Sequence, residues 1–484
     1  MKARPYQKEA IDFLSNEGKG IVRGPTGAGK TFISLQAAIE LGWERLLIVV
    51  PRFSALLAWE AELTRLGIAH TIIKKWTPLK RREFWLYGAG EPHSEGRVVV
   101  ALYQTVAGDI GAENTRNDKK NKRTSQERRT AAFKALMSER TKFDFIICDE
   151  CHRIKDRRTL AYKAIARFAR GKKRFFLSAT LQSHGPEDLW APLSIVSPGG
   201  FASYHKFVER YCILEHDGYS DKIVGVRQST LGELKFKIKP YVHNITTKSI
   251  QGFVPDRVRQ KLNIDLSPRV RRVYKSLWND SMVTFPDSAY LAPGELAKYT
   301  AVRKLLTCPN MIHDAFGVGD ALEGAHEHAL GERPRPHAVI FSDFKEPFPL
   351  WKRWLQERDA HVSILQGGMN DSQIKIAIDE FSRLSGQRES WLLCTIPFAE
   401  SFDLLSPQDA YFIGYAWDQN RNYQAEGRLT RGSKTHANFF YCVHPDTVDT
   451  HMLDVLDLKV QRTGLVVSDT SDEPERAGQW RRKA

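Results

Sequence analysis

Residues Gly20–Leu41 read GIVRGPTGAGKTFISLQAAIEL. A short apolar run, Gly20 to Val22, enters a glycine-rich turn, and a helix-patterned stretch, Phe32 to Leu41, leaves it. Between them Gly24, Pro25, Thr26, Gly27, Ala28, Gly29, Lys30 and Thr31 fit the spacing G-x-x-x-x-G-K-[ST]. Gly27 and Gly29 let backbone N–H groups close around phosphate oxygens. Lys30 reaches the β- and γ-phosphates, and the Thr31 hydroxyl is a Mg²⁺ ligand. The following helix directs its N-terminus at the same phosphates. The plainer alternative is a glycine turn that holds no nucleotide.

A second motif, Cys148-Asp149-Glu150-Cys151-His152, decides between these. It also spells C-x-x-C-H, the haem c attachment pattern, and could equally supply half of a zinc site. Phe143 to Ile147 is a buried-strand pattern ending at the acid pair, which suits the carboxyl edge of a parallel sheet. No second C-x-x-C exists, since Cys212, Cys308, Cys394 and Cys442 are scattered. As a nucleotide site, Asp149 holds Mg²⁺, usually through water, and Glu150 orients or deprotonates the attacking water. The two motifs together describe an ATP hydrolase.

With 484 residues, two to four domains are expected. No apolar run approaches the roughly 18 residues of a membrane span, and Met1 to Leu14 lacks a signal peptide's hydrophobic stretch. Six cysteines in so long a chain argue for a reducing interior, so an intracellular, cytoplasmic protein is expected. The net charge of +15 and 11% aromatic residues favour a polyanionic partner such as nucleic acid.

Strand patterns at Leu46–Val50, Val98–Leu102, Phe143–Cys148 and Arg174–Leu177 alternate with helical ones at Ser54–Leu66 and Thr159–Arg170. Such alternation predicts a parallel, doubly wound sheet. The basic stretch Asn114 to Arg129 interrupts it, either as a solvated insertion or as a DNA-facing loop. From about Pro198 to Leu306 the sequence becomes aromatic-rich and helical. His313 to His337, rich in Gly, His and Pro, reads as a linker, and its histidines (His313, His326, His328, His337) lack tight metal-ligand spacing. Alternation resumes with strands at Ala338–Phe341, His361–Leu365, Trp391–Cys394, Ala410–Ile413 and Phe439–Val443. Helical patterns at Pro349–Arg358, Asp371–Leu384 and Asn420–Leu429 separate them.

The fold class expected is therefore α/β, with two doubly wound parallel-sheet lobes and a helical insertion between them. The boundaries are 1–197 for the ATP-binding lobe, 198–312 for the insertion, 313–336 for the linker, 337–467 for the second lobe and 468–484 for a loose polar tail. The second lobe lacks a phosphate loop and offers Gln424-Ala425-Glu426-Gly427-Arg428-Leu429-Thr430-Arg431 instead. Arg428 and Arg431, three apart, would share one helix face and could reach one polyanion. A solvated basic helix is the other reading.

With these residues in hand, the chain resembles superfamily 2 helicase-type motors, specifically the Swi/Snf family of duplex DNA translocases, from Arg4 to about Lys459. Arg4-Pro5-Tyr6-Gln7 is similar to the family's adenine-recognition segment, with Gln7 as base reader. Leu46 to Leu63 resembles the motif in which a strand, a proline and a helix abut DNA. DECHRIKD, Asp149 to Asp156, is the most family-specific piece. Ser178-Ala179-Thr180 resembles the motif that couples ATP state to DNA grip. The segment from Tyr211 through Leu231 to Pro268 resembles the family's helical insertion and sits nearest the fork-remodelling, annealing-helicase branch. AVIFSDF, LQGGMN, CTIPFAESFDL and QAEGRLTR resemble the second-lobe series, and TVDTHMLDVLDLKV a closing brace helix. The resemblance implies two RecA-like lobes, ATP and Mg²⁺ as ligands, and an arginine role in hydrolysis for Arg428 and Arg431. Three features depart from the family: Ser178-Ala179-Thr180 where many members have Thr-Gly-Thr, loss of glycines at Phe398, Ala399 and Ser401, and Ser433-Lys434 in place of Gly-Gln.

Three functions follow from this reading: a duplex-stimulated translocating ATPase that remodels forks and junctions, a single-strand DNA or RNA helicase, and a non-hydrolysing DNA-binding module. Intact catalytic positions disfavour the third. The implied partners are duplex or branched DNA and replication or recombination proteins, with the chain acting as a monomer. No flanking chromatin-reader segment is evident, which points to a bacterial, archaeal or phage genome-maintenance role.

Overall fold

The computed structural model describes residues 3–73, 76–77, 80–81, 84, 98–108, 143–181, 185–216, 218, 221–253, 255–399, 404, 406–430 and 436–456. The basic stretch Asn114–Arg129, Arg431, Ser401, Ser433-Lys434 and the tail 468–484 lie outside the described residues. The chain divides into two compact units, one running to Ile250 and one beginning at Gln251.

In the first unit, runs such as LLIVV (Leu46–Val50) and FIIC (Phe145–Cys148) are buried at every position. Unbroken apolar strands of this kind need helices on both faces, and so favour parallel pairing. The strands are β1 Lys19–Arg23, β2 Leu46–Val50, β3 Thr71–Ile73, β4 Val98–Leu102, β5 Phe145–Cys148 and β6 Lys173–Ser178. An antiparallel hairpin, β7 Cys212–His216 with β8 Asp221–Val226, stands apart, and β9 Val242–Asn244 returns to the sheet. The order is β3-β4-β2-β5-β6-β1-β9, and every pairing is parallel. The register sets Val49 opposite Cys148, Cys148 opposite Phe176, and Arg23 opposite Ser178, so the carboxyl ends of β5, β6 and β1 share one sheet edge.

The second unit is built on β10 Asp256–Asn263, β13 His337–Ser342, β14 His361–Leu365, β15 Ser390–Thr395, β16 Asp409–Phe412 and β17 His436–Val443. Their order is β10-β17-β16-β13-β15-β14, again all parallel. A small antiparallel hairpin, β11 Met282–Thr284 with β12 Ala289–Leu291, links the helices Pro268–Asp280 and Glu295–Thr307. Those helices pack into the same core as Val448, Met452, Leu453 and Leu456 of the region read as a brace helix. The Tyr274 hydroxyl accepts the Val448 N–H at 3.0 Å. Two doubly wound sheets, as read from the sequence, are what the chain forms.

Two expectations are corrected. The stretch 198–312 is not one helical insertion: residues to Ile250 belong to the first unit and contribute β9, whereas residues from Gln251 belong to the second and contribute β10. Strand pairing, with its row of backbone hydrogen bonds, captures each end of the stretch. Nor is 313–336 a linker, because Asp320–Glu332 is a helix. Its Ala321, Leu322, Ala325 and Ala329 are buried at helical spacing, and small side chains made that stripe easy to miss. The histidines there make hydrogen bonds: His326 Nε2 meets Glu389 Oε1 at 2.8 Å, and His328 Nδ1 meets the Tyr411 hydroxyl at 3.0 Å. His337 lies between the Ser390 and Ser406 hydroxyls and stacks on Phe381. Among the described residues no helix is long and apolar enough to cross a membrane.

Candidate functional site

Three loops meet at the carboxyl edge of β5, β6 and β1. The phosphate-loop residues follow β1, and the helix Lys30–Leu41 begins at Lys30 with Gly29 as its N-cap, at φ 78°. Gly27, at φ 90°, is left-handed too. A side chain at Gly29 would be strained by that backbone, and a β-carbon there would come within 2.6 Å of Gln7 Nε2 and displace it. The first-turn N–H groups of this helix have no intrahelical acceptor, so the turn presents donors and a positive dipole end. Lys30 Nζ lies on the loop, donating to the carbonyls of Gly24 at 2.8 Å and Pro25 at 3.1 Å.

Gln7 covers this turn. It lies in the helix Pro5–Glu17, where its Oε1 accepts the Arg4 N–H at 3.0 Å and its Nε2 donates to the Ala28 carbonyl at 3.2 Å. On the other side, Ile245, just past β9, packs against Gly24 and donates its N–H to the Arg23 carbonyl at 2.8 Å. β9 is thus a wall of the loop, a role for which three residues gave little sequence signal.

Asp149 and Glu150 follow β5. Asp149 Oδ2 accepts the Trp59 indole N–H at 2.9 Å, and Oδ1 accepts the Glu150 N–H at 3.0 Å. Burial first, then the neighbouring Glu150 charge, pushes the Asp149 carboxyl well above its usual range, and Lys30 works the other way. Trp59, itself buried in the helix Phe53–Arg65, is a site residue that the motif reading did not single out.

Glu150 adopts φ 50° and ψ 56°, a left-handed conformation that costs a non-glycine residue roughly 1–2 kcal/mol. A side chain retained at that cost points to a use for the carboxylate. Burial alone would raise its pKa, but the His152 ring, within 3.1 Å of Oε2, holds it low. The Ser178 hydroxyl, at the end of β6, lies 3.3 Å from the same oxygen and 3.2 Å from His152 Nδ1. The Thr180 N–H donates to Ser178 Oγ at 3.1 Å. The Gly24 N–H donates to the Ser178 carbonyl at 3.1 Å. Ser178 therefore ties phosphate loop, acid pair and the Ser178-Ala179-Thr180 motif together.

Mg²⁺ and a nucleotide fit these residues. A carboxylate has about four acceptor positions, and Trp59 and Glu150 take two of Asp149's, which leaves capacity toward a cation. A buried carboxyl with a raised pKa is also what a dication would relieve. The thiols of Cys148 and Cys151, by contrast, are core-filling groups raised by burial. Among the described residues no cluster of three or more His, Cys, Asp or Glu is placed to hold a metal.

In the second unit the helix Gln419–Glu426 ends before Arg428, so Arg428 stands in a turn and not on a helix face. Gly427, a poor helix residue, coincides with that end. The Arg428 carbonyl accepts the Leu404 N–H at 3.0 Å. Glu426, fully buried, is gripped from β10: Arg259 Nε and Nη2 donate to its two oxygens at 2.7 Å each, and Arg257 Nη1 lies 3.5 Å away. The Tyr441 hydroxyl donates to Glu426 Oε1 at 3.0 Å, and the Arg257 guanidinium covers the Tyr423 ring at 3.7 Å. The Arg257-x-Arg259 alternation on β10 was the available signal, masked by its polar character. Ile396–Ala399 is a helical turn, a conformation that needs no glycine at Phe398 or Ala399.

Comparison with known proteins bears on the same residues. Residues 1–183 match the family described as "Type III restriction enzyme, res subunit". "Protein CHROMATIN REMODELING 5" of Arabidopsis thaliana is 21% identical over 511 residues, covering 97% of this chain and 27% of that protein. The resemblance to Swi/Snf-type ATPases read from the motifs is in keeping with these matches. "Chromatin-remodeling ATPase INO80" of Debaryomyces hansenii is 24% identical over 305 residues, covering 59% of this chain and 20% of the relative. The chain therefore spans about a fifth to a quarter of the length of these relatives. The solved "Sulfolobus solfataricus SWI2/SNF2 ATPase core in complex with dsDNA" aligns at a TM-score of 0.42 and 16% identity, over 95% of this chain and 91% of that one.

Proposed function

We propose that this chain is a DNA-stimulated ATPase that translocates on duplex DNA and remodels branched DNA such as forks and junctions. The observation that carries the proposal is the convergence of Gly24–Thr31, Asp149-Glu150 and Ser178 on one sheet edge, with Ser178 joining all three. In this reading Gln7 reads adenine and the loop from Gly24 to Thr31 cradles the phosphates. Thr31 and Asp149 hold Mg²⁺, which when bound neutralises phosphate charge. Glu150, kept ionised by His152, orients the attacking water and accepts its proton as the bond to the γ-phosphorus forms and the bond to ADP breaks. Lys30, Arg428 and Arg431 take up the charge that builds on the transferring group.

Duplex DNA is the substrate class that the +15 charge and the resemblance to Swi/Snf-type translocases favour. A translocase must grip any sequence, so phosphates and not base edges dominate its contacts. The test is steady-state ATP hydrolysis with no nucleic acid, blunt duplex, single-stranded DNA and RNA. Duplex is expected to stimulate most, with binding that weakens steeply with salt. Stronger stimulation by RNA or single strands would replace this proposal with a single-strand helicase.

A further inference from the structure

We propose that the helix Leu231–Ile238 of the first unit is a binding site for unpaired DNA, with Phe236 as the platform on which a base stacks. This rests on the DNA reading above and adds a single-strand contact to it. The helix buries Leu234 and Ile238 in the unit's core. At 100° per residue, the face opposite them carries Gly232, Phe236 and Lys239. Phe236 is 80% exposed, the most exposed aromatic side chain among the described residues' exposed large hydrophobics, so its ring is open to a ligand. A helical side chain leans over the turn before its own, which here is the turn of Gly232. A β-carbon at Gly232 would meet nothing within 4 Å, so the surface of this helix beside Phe236 is open.

The charge around the ring selects the occupant. Lys235, Lys237 and Lys239 flank Phe236 in sequence, and Arg210 of the helix Tyr204–Tyr211 sits beside them. The only acid on the helix, Glu233, is already engaged by Arg210 at 2.6 Å, Lys237 at 2.9 Å and the Tyr211 hydroxyl at 2.8 Å. A positive field alone would suit any phosphate, and an open ring alone would suit an apolar protein surface. The two together suit a chain of phosphates whose bases are free to stack, as in single-stranded DNA. A continuous duplex keeps its base faces inside the stack, so the ring finds a partner only where pairing is broken.

The test uses the full chain without ATP. Anisotropy of a labelled oligo-dT strand and of a blunt duplex of similar length is measured for wild type, Phe236→Ala, Phe236→Leu and Phe236→Trp. Thermal midpoints verify that the exposed substitutions leave the fold intact. Phe236→Ala and Phe236→Leu are each expected to weaken oligo-dT binding by roughly five- to a hundred-fold. Phe236→Trp should retain it, and duplex affinity should change by less than about two-fold in all three. Wild type that does not bind oligo-dT, or Phe236→Ala that binds as wild type, overturns the site. Full affinity in Phe236→Leu overturns it too, since a contact needing only apolar surface is not stacking. Duplex-stimulated hydrolysis is read separately, so a failure of the ATPase proposal leaves these binding arms interpretable.

Discussion

Replacing Arg259 by alanine removes both short hydrogen bonds to a carboxylate that has no access to water. Glu426 would keep the Tyr441 hydroxyl at 3.0 Å and the Arg257 guanidinium at 3.5 Å, too few partners for a buried charge. Burial alone would lower the Arg259 pKa, yet Glu426 raises it well above its ordinary value, so the pair is strongly coupled. Breaking one partner of a buried pair costs about 3–5 kcal/mol, and the remaining Arg257 puts this case near the lower end, about 3 kcal/mol. Glu426→Gln, which strands Arg259 instead, should cost a similar amount. Replacing both by apolar residues of similar volume, Arg259→Met with Glu426→Leu, should return stability to within about 1 kcal/mol of wild type, because neither charge is then left buried. Urea unfolding followed by circular dichroism measures all four proteins. Single substitutions that each cost less than about 1 kcal/mol, or a double substitution that costs the sum of the singles, would refute the argument that the pair is a mutually dependent clamp.

Further outcomes follow from the first unit and from the turn after Glu426. Glu150→Gln should leave nucleotide binding nearly intact while hydrolysis falls by at least about 10²-fold; turnover near wild type in a steady-state assay would remove Glu150 from the chemistry. Asp149→Asn should raise the thermal midpoint at pH 8 in EDTA, because a carboxyl with a raised folded-state pKa is most favourable when protonated and loses that stability as pH rises through the folded value. The gain should shrink as pH falls toward the ordinary carboxyl range near about 4, and an equal gain at every pH would contradict the linkage. Arg428→Ala should lower kcat by roughly 10³-fold or more with little change in ATP affinity; loss of DNA affinity at unchanged kcat would move that arginine to the DNA contact.

The parts that were legible in the sequence are those whose physics is local. β2, β5, β13 and β15 are continuous apolar runs, and a parallel sheet buried on both faces leaves little else for such runs to be. The turn from Gly24 to Thr31 was readable because Gly27 and Gly29 fall where the backbone is left-handed, just ahead of a helix. What escaped notice depends on distant partners. β10 alternates Arg257, Arg259 and Lys261 with Val258 and Leu262, which looks like surface until Glu426, 167 residues away from Arg259, supplies the counter-charge. β9 has three residues, too few for a period, and is held by β1. Trp59 is one apolar residue of a helix-patterned stretch, and only the return of β5 beside β2 brings Asp149 under its indole. Arg428 was assigned to a helix by its spacing from Arg431, whereas the helix stops at Glu426.

The central claim is that hydrolysis at Lys30, Asp149 and Glu150 drives movement along intact duplex. Displacement of a labelled third strand from a triplex on blunt duplex tests it most directly, because a third strand is stripped by a protein that advances along the duplex without opening it. With ATP, wild type should release the strand, while Glu150→Gln and Lys30→Ala should bind the same DNA and leave the strand in place. Wild type that hydrolyses ATP on this DNA yet releases nothing, or a Glu150→Gln protein that releases the strand as well as wild type does, would contradict the account.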